Sequence, residues 1–209
     1  MLRRRRMVRA YDPARPVPAT TLDQVCAAAL RVPSAGFTQA VSLLVLTSAE
    51  QRAAYWAATA EHETSWLAGL RTAPVLIMVW TSRDSYLDRY AEPDKGWTDR
   101  DPDRWPAPYW YVDAGMAVLA MLLTATDQEL GACFFGVPAD RTERIRDTFE
   151  VPPDQLSVGV VSLGYPVPAA PSGSPTRRPR RSAAELVYRE RWANAGLSQG
   201  FGQVSRQPL

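Results

Sequence analysis

Residues 73–81, "APVLIMVWT", are apolar almost without interruption. A strand with one wet face alternates apolar and polar side chains. This one does not, so it reads as a strand covered on both faces. Such a strand demands a sheet with helices on either side. The remaining chain supplies those parts. "VSLLVLT" (41–47), "ACFFGV" (132–137) and "LSVGVVSLGYP" (156–166, ended by Pro166) read as three more strands. Residues 19–32 read as a helix with Leu22, Val25, Cys26, Ala29 and Leu30 on one stripe and Thr21 with Gln24 as a capping box. Residues 48–58 form a second helix with Ser48 as N-cap. Residues 111–130 form a long buried helix ended by Gly131, 138–149 an amphipathic surface helix with Pro138 near its start, and 182–192 hold a short last one. The pattern is α/β or α+β, and 209 residues at 46% hydrophobic suffice for a domain with a substantial core.

Composition removes several function classes. The net charge is only +2, so the chain does not read as a coat for nucleic acid. The basic start, "LRRRRMVRAY", is followed by polar, proline-bearing sequence and not by the apolar core of a secretory signal. The longest apolar stretch is broken by Asp113, Asp127 and Glu129, which favours a buried helix over a membrane span. Cys26 and Cys133 read as reduced, buried thiols of a cytoplasmic protein. His62 is the only histidine, and no G-x-S-x-G elbow accompanies it, so it reads as a surface or partner-contacting residue. No His/Cys metal cluster is available, and neither G-x-G-x-x-G nor a Walker A loop is present.

Three features remain. Arg3 to Arg6 with Arg9 at one end, and Arg177, Arg178, Arg180 and Arg181 at the other, are either solvated basic segments or two arms converging on one phosphate. "PSAG" (33–36) is either a helix-ending turn or a close approach of backbone to a ligand. Residues 82–110 carry many charges, four prolines and many aromatic rings, too many rings for disorder. They read as a folded excursion lying over something.

Four stretches in order resemble the FMN-dependent nitroreductase family of flavin oxidoreductases. "RRMVRAYDPARPVP" is similar to the family's R-R-S-x-R-x-F/Y followed by P-V. "RVPSAGFTQ" is similar to A-P-S-x-x-N-x-Q-P-W. "YVDAGMAVLAMLLTATDQELGACFFG" is similar to D-x-x-x-A-x-x-x-L-L-L-A-A-x-x-x-G-L-G-x-x-W. "VGVVSLGYP…RRPRRSAAELV" is similar to a closing strand with G-Y-P and K-P-R-R-P-x-x-E-x-V. The resemblance spans about residues 3–190. It departs at Met7 (Ser in the family), at Phe37 (Asn), at "QAV" (Q-P-W), and at Phe134 or Phe135 (Trp).

The resemblance implies an α+β fold, a central mixed sheet flanked by helices, in an intertwined homodimer with FMN at the interface. It implies one domain over 1–192 with an aromatic lid at 82–110, and a tail, 193–209, that wraps the partner. Arg5, Arg6, Met7 and Arg9, with Arg178 and Arg180, would hold the FMN phosphate and ribityl chain. Pro33, Ser34, Ala35 and Gln39 would lie against the ring, and Leu130, Gly131 and Ala132 would run past N5 with a backbone N–H. Tyr86, Tyr90, Trp97, Trp105, Tyr109 and Trp110 would stack on a planar acceptor, with core or dimer packing as the alternative. The implied reaction is ping-pong transfer from NAD(P)H, through the flavin, to a nitroaromatic, quinone or enone, with no catalytic side chain and no metal. The "GF-x-Q" spelling is also similar to a branch that breaks down FMN to make the lower ligand of vitamin B12. That leaves FMN consumption or a specialised biosynthetic dehydrogenation as the alternative. A non-enzymatic binder of nucleic acid or anionic membrane ranks last, and no such partner is expected.

Overall fold

The computed structural model describes residues 1–59, 64–168 and 177–192. His62 and the tail 193–209 lie outside the described residues. The stretch expected as one domain, 1–192, is divided between two compact units, Met1–Val167 and Pro168–Leu209.

The first unit is built on four strands: β1 (Val41–Leu46), β2 (Val75–Ser82), β3 (Gly131–Phe135) and β4 (Gln155–Gly164), in the order β1-β2-β4-β3. β2 is buried along its whole length, as its unbroken apolar sequence requires. Its side chains alternate between two cores. Leu76, Met78 and Trp80 pack with Tyr55 and Trp56 of α2 (Ala49–Thr59), Leu70 of α3 (Ser65–Arg71) and Ile145 of α6 (Thr142–Phe149). Val75, Ile77 and Val79 pack with Val25 and Ala29 of α1 (Ala19–Ala29) and Ala117, Val118, Met121, Leu122 and Ala125 of α5 (Tyr109–Asp127). The result is three layers, helix–sheet–helix. Each large apolar side chain fully buried this way contributes about 1.5–3 kcal/mol, so the central strand carries much of the stability.

The expected mixed sheet is corrected. All three strand pairings are antiparallel. Among the described residues, parallel pairing is confined to a bridge between Met7 and Ala132. An apolar strand covered on both faces carries no mark of its direction, which is why the pattern does not reveal it. β4 bulges opposite β2, where the partner of Val79 is Gly159 and that of Trp80 is Ser157. Gly159 has φ 145°, and a Cβ there would lie 2.7 Å from the Phe135 carbonyl oxygen.

Helix ends differ from expectation at three points. α1 starts after Pro18 with no side-chain cap, so Thr21 and Gln24 are interior residues and not a capping box. The helix stops at Ala29, and Leu30 turns out to solvent. α5 ends at Asp127, and the left-handed residue that stops it is Glu129 (φ 58°); Gly131 instead opens β3. Ser48 does cap α2, its Oγ accepting the Gln51 N–H at 3.1 Å. Both cysteines are free; Cys133 is buried, but Cys26 only partly so. α5 is long and apolar enough to cross a membrane, yet one side of it forms the second core.

Burial pushes the phenols of Tyr11, Tyr55 and Tyr86 above their ordinary value. An unfolded tyrosine ionises near pH 10, so the folded state keeps protons that the unfolded state releases. This stability is intact below about pH 10 and falls as pH rises beyond it. The melting temperature is therefore expected to hold between pH 7 and 9 and drop steeply above 10. A flat profile to pH 11 would contradict burial of all three.

Candidate functional site

The N-terminal arginines are laid beside the start of β3. The Val8 N–H donates to the Ala132 carbonyl at 2.9 Å, next to the parallel bridge at Met7. The Tyr11 hydroxyl ties the segment down, donating to the Val8 carbonyl at 2.5 Å and lying 2.8 Å from Ser162 Oγ. Gly131 permits this closeness: a Cβ there would meet the Val8 side chain at 2.7 Å. Extended backbone sends alternate side chains to opposite sides. Arg6 is exposed, whereas Arg5 and Arg9 are half-buried.

Arg5 Nη1 and Arg9 Nε are buried and have no hydrogen-bond partner. Arg9 Nη1 reaches only the Met7 carbonyl, at 3.3 Å. Both guanidinium groups lie near enough to Cys133 to draw its thiol downward, although burial dominates and leaves it raised. A buried donor without an acceptor costs about 1–3 kcal/mol, more when charged. Both guanidinium groups act on the Cys133 thiol, and an anion with several acceptor oxygens, such as a phosphate, supplies the kind of acceptor these donors lack. The site therefore fits the phosphate of a flavin mononucleotide. Leu130 is corrected as a backbone donor: its N–H already donates to the Ala125 carbonyl at 2.8 Å, closing the end of α5.

The 33–39 loop is held from outside. The Ala35 N–H donates to Asp113 Oδ2 at 2.7 Å, and the Tyr86 hydroxyl donates to the same oxygen at 2.7 Å. Arg89, on α4 (Arg83–Ala91), donates from Nε to the Gly36 carbonyl at 2.8 Å, while Asp94 and Glu92 hold its other nitrogens. Ser34 Oγ accepts the Gln39 N–H at 3.0 Å. Gly36 (φ 64°) sits against the Tyr90 ring, which a Cβ would approach to 2.7 Å. Phe37 (φ 57°) and Gln39 (φ 55°) are also left-handed, a conformation costing about 1–2 kcal/mol per non-glycine residue. Pro33, Phe37 and Gln39 face solvent, and Ser34 and Ala35 are half-buried.

The aromatic residues of 82–110 pack on one another. The Trp105 ring lies 4.4 Å from Tyr90, 5.4 Å from Trp97, 5.6 Å from Tyr109, 5.9 Å from Tyr86 and 6.3 Å from Trp110, centroid to centroid. Tyr86 is corrected as an acceptor-stacking residue: it is fully buried and spends its hydroxyl on Asp113. The other five are half-buried. In the second unit, Arg178 and Arg180 are exposed ahead of α7 (Ala183–Leu186), which Ser182 and Glu185 cap reciprocally.

A model of the nitroreductase family matches residues 2–165. The chain belongs to the nitroreductase family. Solved structures share the fold. A Desulfovibrio desulfuricans protein described as a nitroreductase in complex with FMN is 22% identical, with 91% of this chain and 95% of that one covered and a TM-score of 0.68. An Exiguobacterium sibiricum protein described the same way is 18% identical, with 89% and 93% covered and a TM-score of 0.69. A Clostridium acetobutylicum protein described as an NADH oxidase is 21% identical, with 91% and 99% covered and a TM-score of 0.65. No curated protein sequence matches the chain.

Two residues that hold the 33–39 loop, Asp113 and Arg89, were given no role in a site by the sequence, where Asp113 entered as a break in an apolar stretch and as the first residue of a motif. A single carboxylate inside an apolar helix was itself the signal, since a buried charge persists only with partners. Gly131 offers a direct test of the arginine site. Gly131→Ala is expected to push Val8 off β3 and, with the flanking arginines as the phosphate site proposed below, to weaken FMN affinity roughly 10-fold. Fluorescence titration with FMN measures this; unchanged affinity would contradict the packing of Val8 on Gly131.

Proposed function

We propose that the protein is an FMN-dependent oxidoreductase that takes hydride from NAD(P)H and passes electrons to an electron-poor acceptor such as a nitroaromatic, quinone or enone. One observation carries the reading: the unpartnered buried nitrogens of Arg5 and Arg9, on a segment bridged to β3 at Met7 and Ala132 and close enough to Cys133 to act on its thiol. The FMN named in two structures of the same fold supports it.

Arg5 and Arg9 would take the phosphate, with the Met7 backbone alongside and Arg6 contributing charge from the rim. Pro33, Ser34, Ala35 and Gln39 would border the ring, with Gly131 and Ala132 passing close to it. FMN held by these residues would supply two-electron redox chemistry between NAD(P)H and the acceptor. The chain's own part is to bind, orient and exclude water. No side chain of the site is placed as an acid or base, and solvent supplies the protons.

A homodimer is part of the proposal. Asp113 and the loop it holds stand near the start of α5, and Gly131 follows its end. Asp127 lies fourteen residues beyond Asp113 along the helix, roughly 21 Å at 1.5 Å per residue. One chain thus carries the arginine site and the 33–39 loop far apart, and a second copy, reversed along α5, would bring loop and arginines together. The outward side of α5 supports this, because Val112, Gly115 and Leu119 are exposed on it without a charge.

The test is reconstitution of the purified protein with FMN, followed by its visible spectrum under anaerobic NADH or NADPH. A bound, bleachable flavin that returns intact on acceptor addition is the expected result. Failure to take up FMN would overturn the reading, and loss of flavin during turnover would make FMN the substrate.

A further inference from the structure

Phe37 is hard to explain by stability. The residue is 73% exposed, and its backbone is left-handed at φ 57°. A bulky residue is strained there, whereas Gly or Asn takes this conformation with little penalty. The loop is nevertheless not loose. The Ala35 N–H is fixed on Asp113, the Gly36 carbonyl on Arg89, and Gly36 on the Tyr90 ring. A strained residue held outward by its surroundings points to a role when something binds. Arg89 of α4, which holds the Gly36 carbonyl, is engaged by Asp94 and Glu92, so its charge is already spent and the loop's exposed ring is its apolar offering.

We propose that Phe37 selects the electron acceptor, its ring giving a fixed face on which a neutral, planar, electron-poor aromatic molecule stacks. This rests on the reading that the 33–39 loop borders the flavin. Offset stacking of two rings is favourable beyond simple burial, by an amount equivalent to roughly 2- to 12-fold in affinity.

The experiment compares wild type, Phe37→Asn and Phe37→Leu, each loaded with FMN and reduced by NADH. 4-Nitrobenzamide serves as planar acceptor and ferricyanide as an acceptor without a ring. Both variants are expected to raise KM for 4-nitrobenzamide roughly 2- to 12-fold and to leave KM for ferricyanide, FMN affinity and oligomeric state as in wild type. The flavin-free Phe37→Asn protein is expected to melt about 2–4 °C higher than wild type, because strain and apolar exposure are relieved. Equal KM changes for both acceptors, or none, would overturn the proposal. So would dissociation of the variants into monomers, which would make the ring an interface residue. Wild type that takes up no FMN would sink the underlying function as well; normal FMN uptake with unaltered selectivity would sink the role of Phe37 alone.

Discussion

Replacing Arg5 and Arg9 together by alanine is expected to weaken FMN binding by about 10²- to 10⁴-fold without lowering the melting temperature of the flavin-free protein. Each arginine would offer a charged donor to the phosphate in the proposed site, and a hydrogen bond to a charged group is worth about 1.5–3 kcal/mol. Two of them amount to about 3–6 kcal/mol if they act independently, and groups sharing one phosphate are not expected to be strictly additive. Stability behaves differently. Arg5 Nη1 and Arg9 Nε are buried without acceptors, so removing them relieves a cost in the flavin-free state. Arg6→Ala is the control: Arg6 is exposed, and its loss should change affinity only a few-fold through long-range charge. Titration of FMN fluorescence, with thermal melts of the flavin-free proteins, checks both halves. Wild-type affinity in the double variant, or a large drop in melting temperature, would contradict the assignment.

Asp113→Ala is expected to lower the melting temperature by about 5–15 °C. The carboxylate accepts both the Ala35 N–H and the Tyr86 hydroxyl at 2.7 Å, and it is 2% exposed. Its removal leaves two donors without a partner, at about 1–3 kcal/mol each. For a chain of this size about 1 kcal/mol corresponds to 2–4 °C. The loss also frees the 33–39 loop from α5, so protection of the Ala35 amide against hydrogen exchange should fall more than that of β2. Asp113→Asn keeps an acceptor oxygen and should lie between wild type and alanine. A melting temperature within 2 °C of wild type would show that the carboxylate does not hold the loop.

Much of the layer structure was legible because burial writes itself into sequence. The unbroken run in β2 required cover on both faces, and its alternate residues do enter two separate cores. The helix stripe around Val25 and Ala29 and the N-cap at Ser48 were readable for equally local reasons. Strand direction was not, since two-sided burial erases the alternation that would distinguish an antiparallel edge. The distinction between Arg5 and Arg6 was hidden too: in a run of four arginines, only the bridge of Met7 to Ala132 decides which ones turn inward. Asp113 and Tyr86 meet across 27 residues. No spacing rule announces such a contact, so a ring read as part of a lid turned out to belong to the scaffold under the loop. Glu129, which takes the left-handed turn in place of Gly131, shows the same limit at a helix end. Glycine was free for another task there, clearing space for Val8.

The most direct test of the arginine site is to compare FMN with riboflavin, which has the same ring and ribityl chain but no phosphate. Both are titrated into the flavin-free wild-type protein at low and moderate salt. If Arg5 and Arg9 hold the phosphate, FMN binds at least about 100-fold more tightly than riboflavin, and the advantage vanishes in the double alanine variant. Equal affinity for the two flavins in the wild-type protein would show that the buried guanidinium groups serve something other than flavin phosphate.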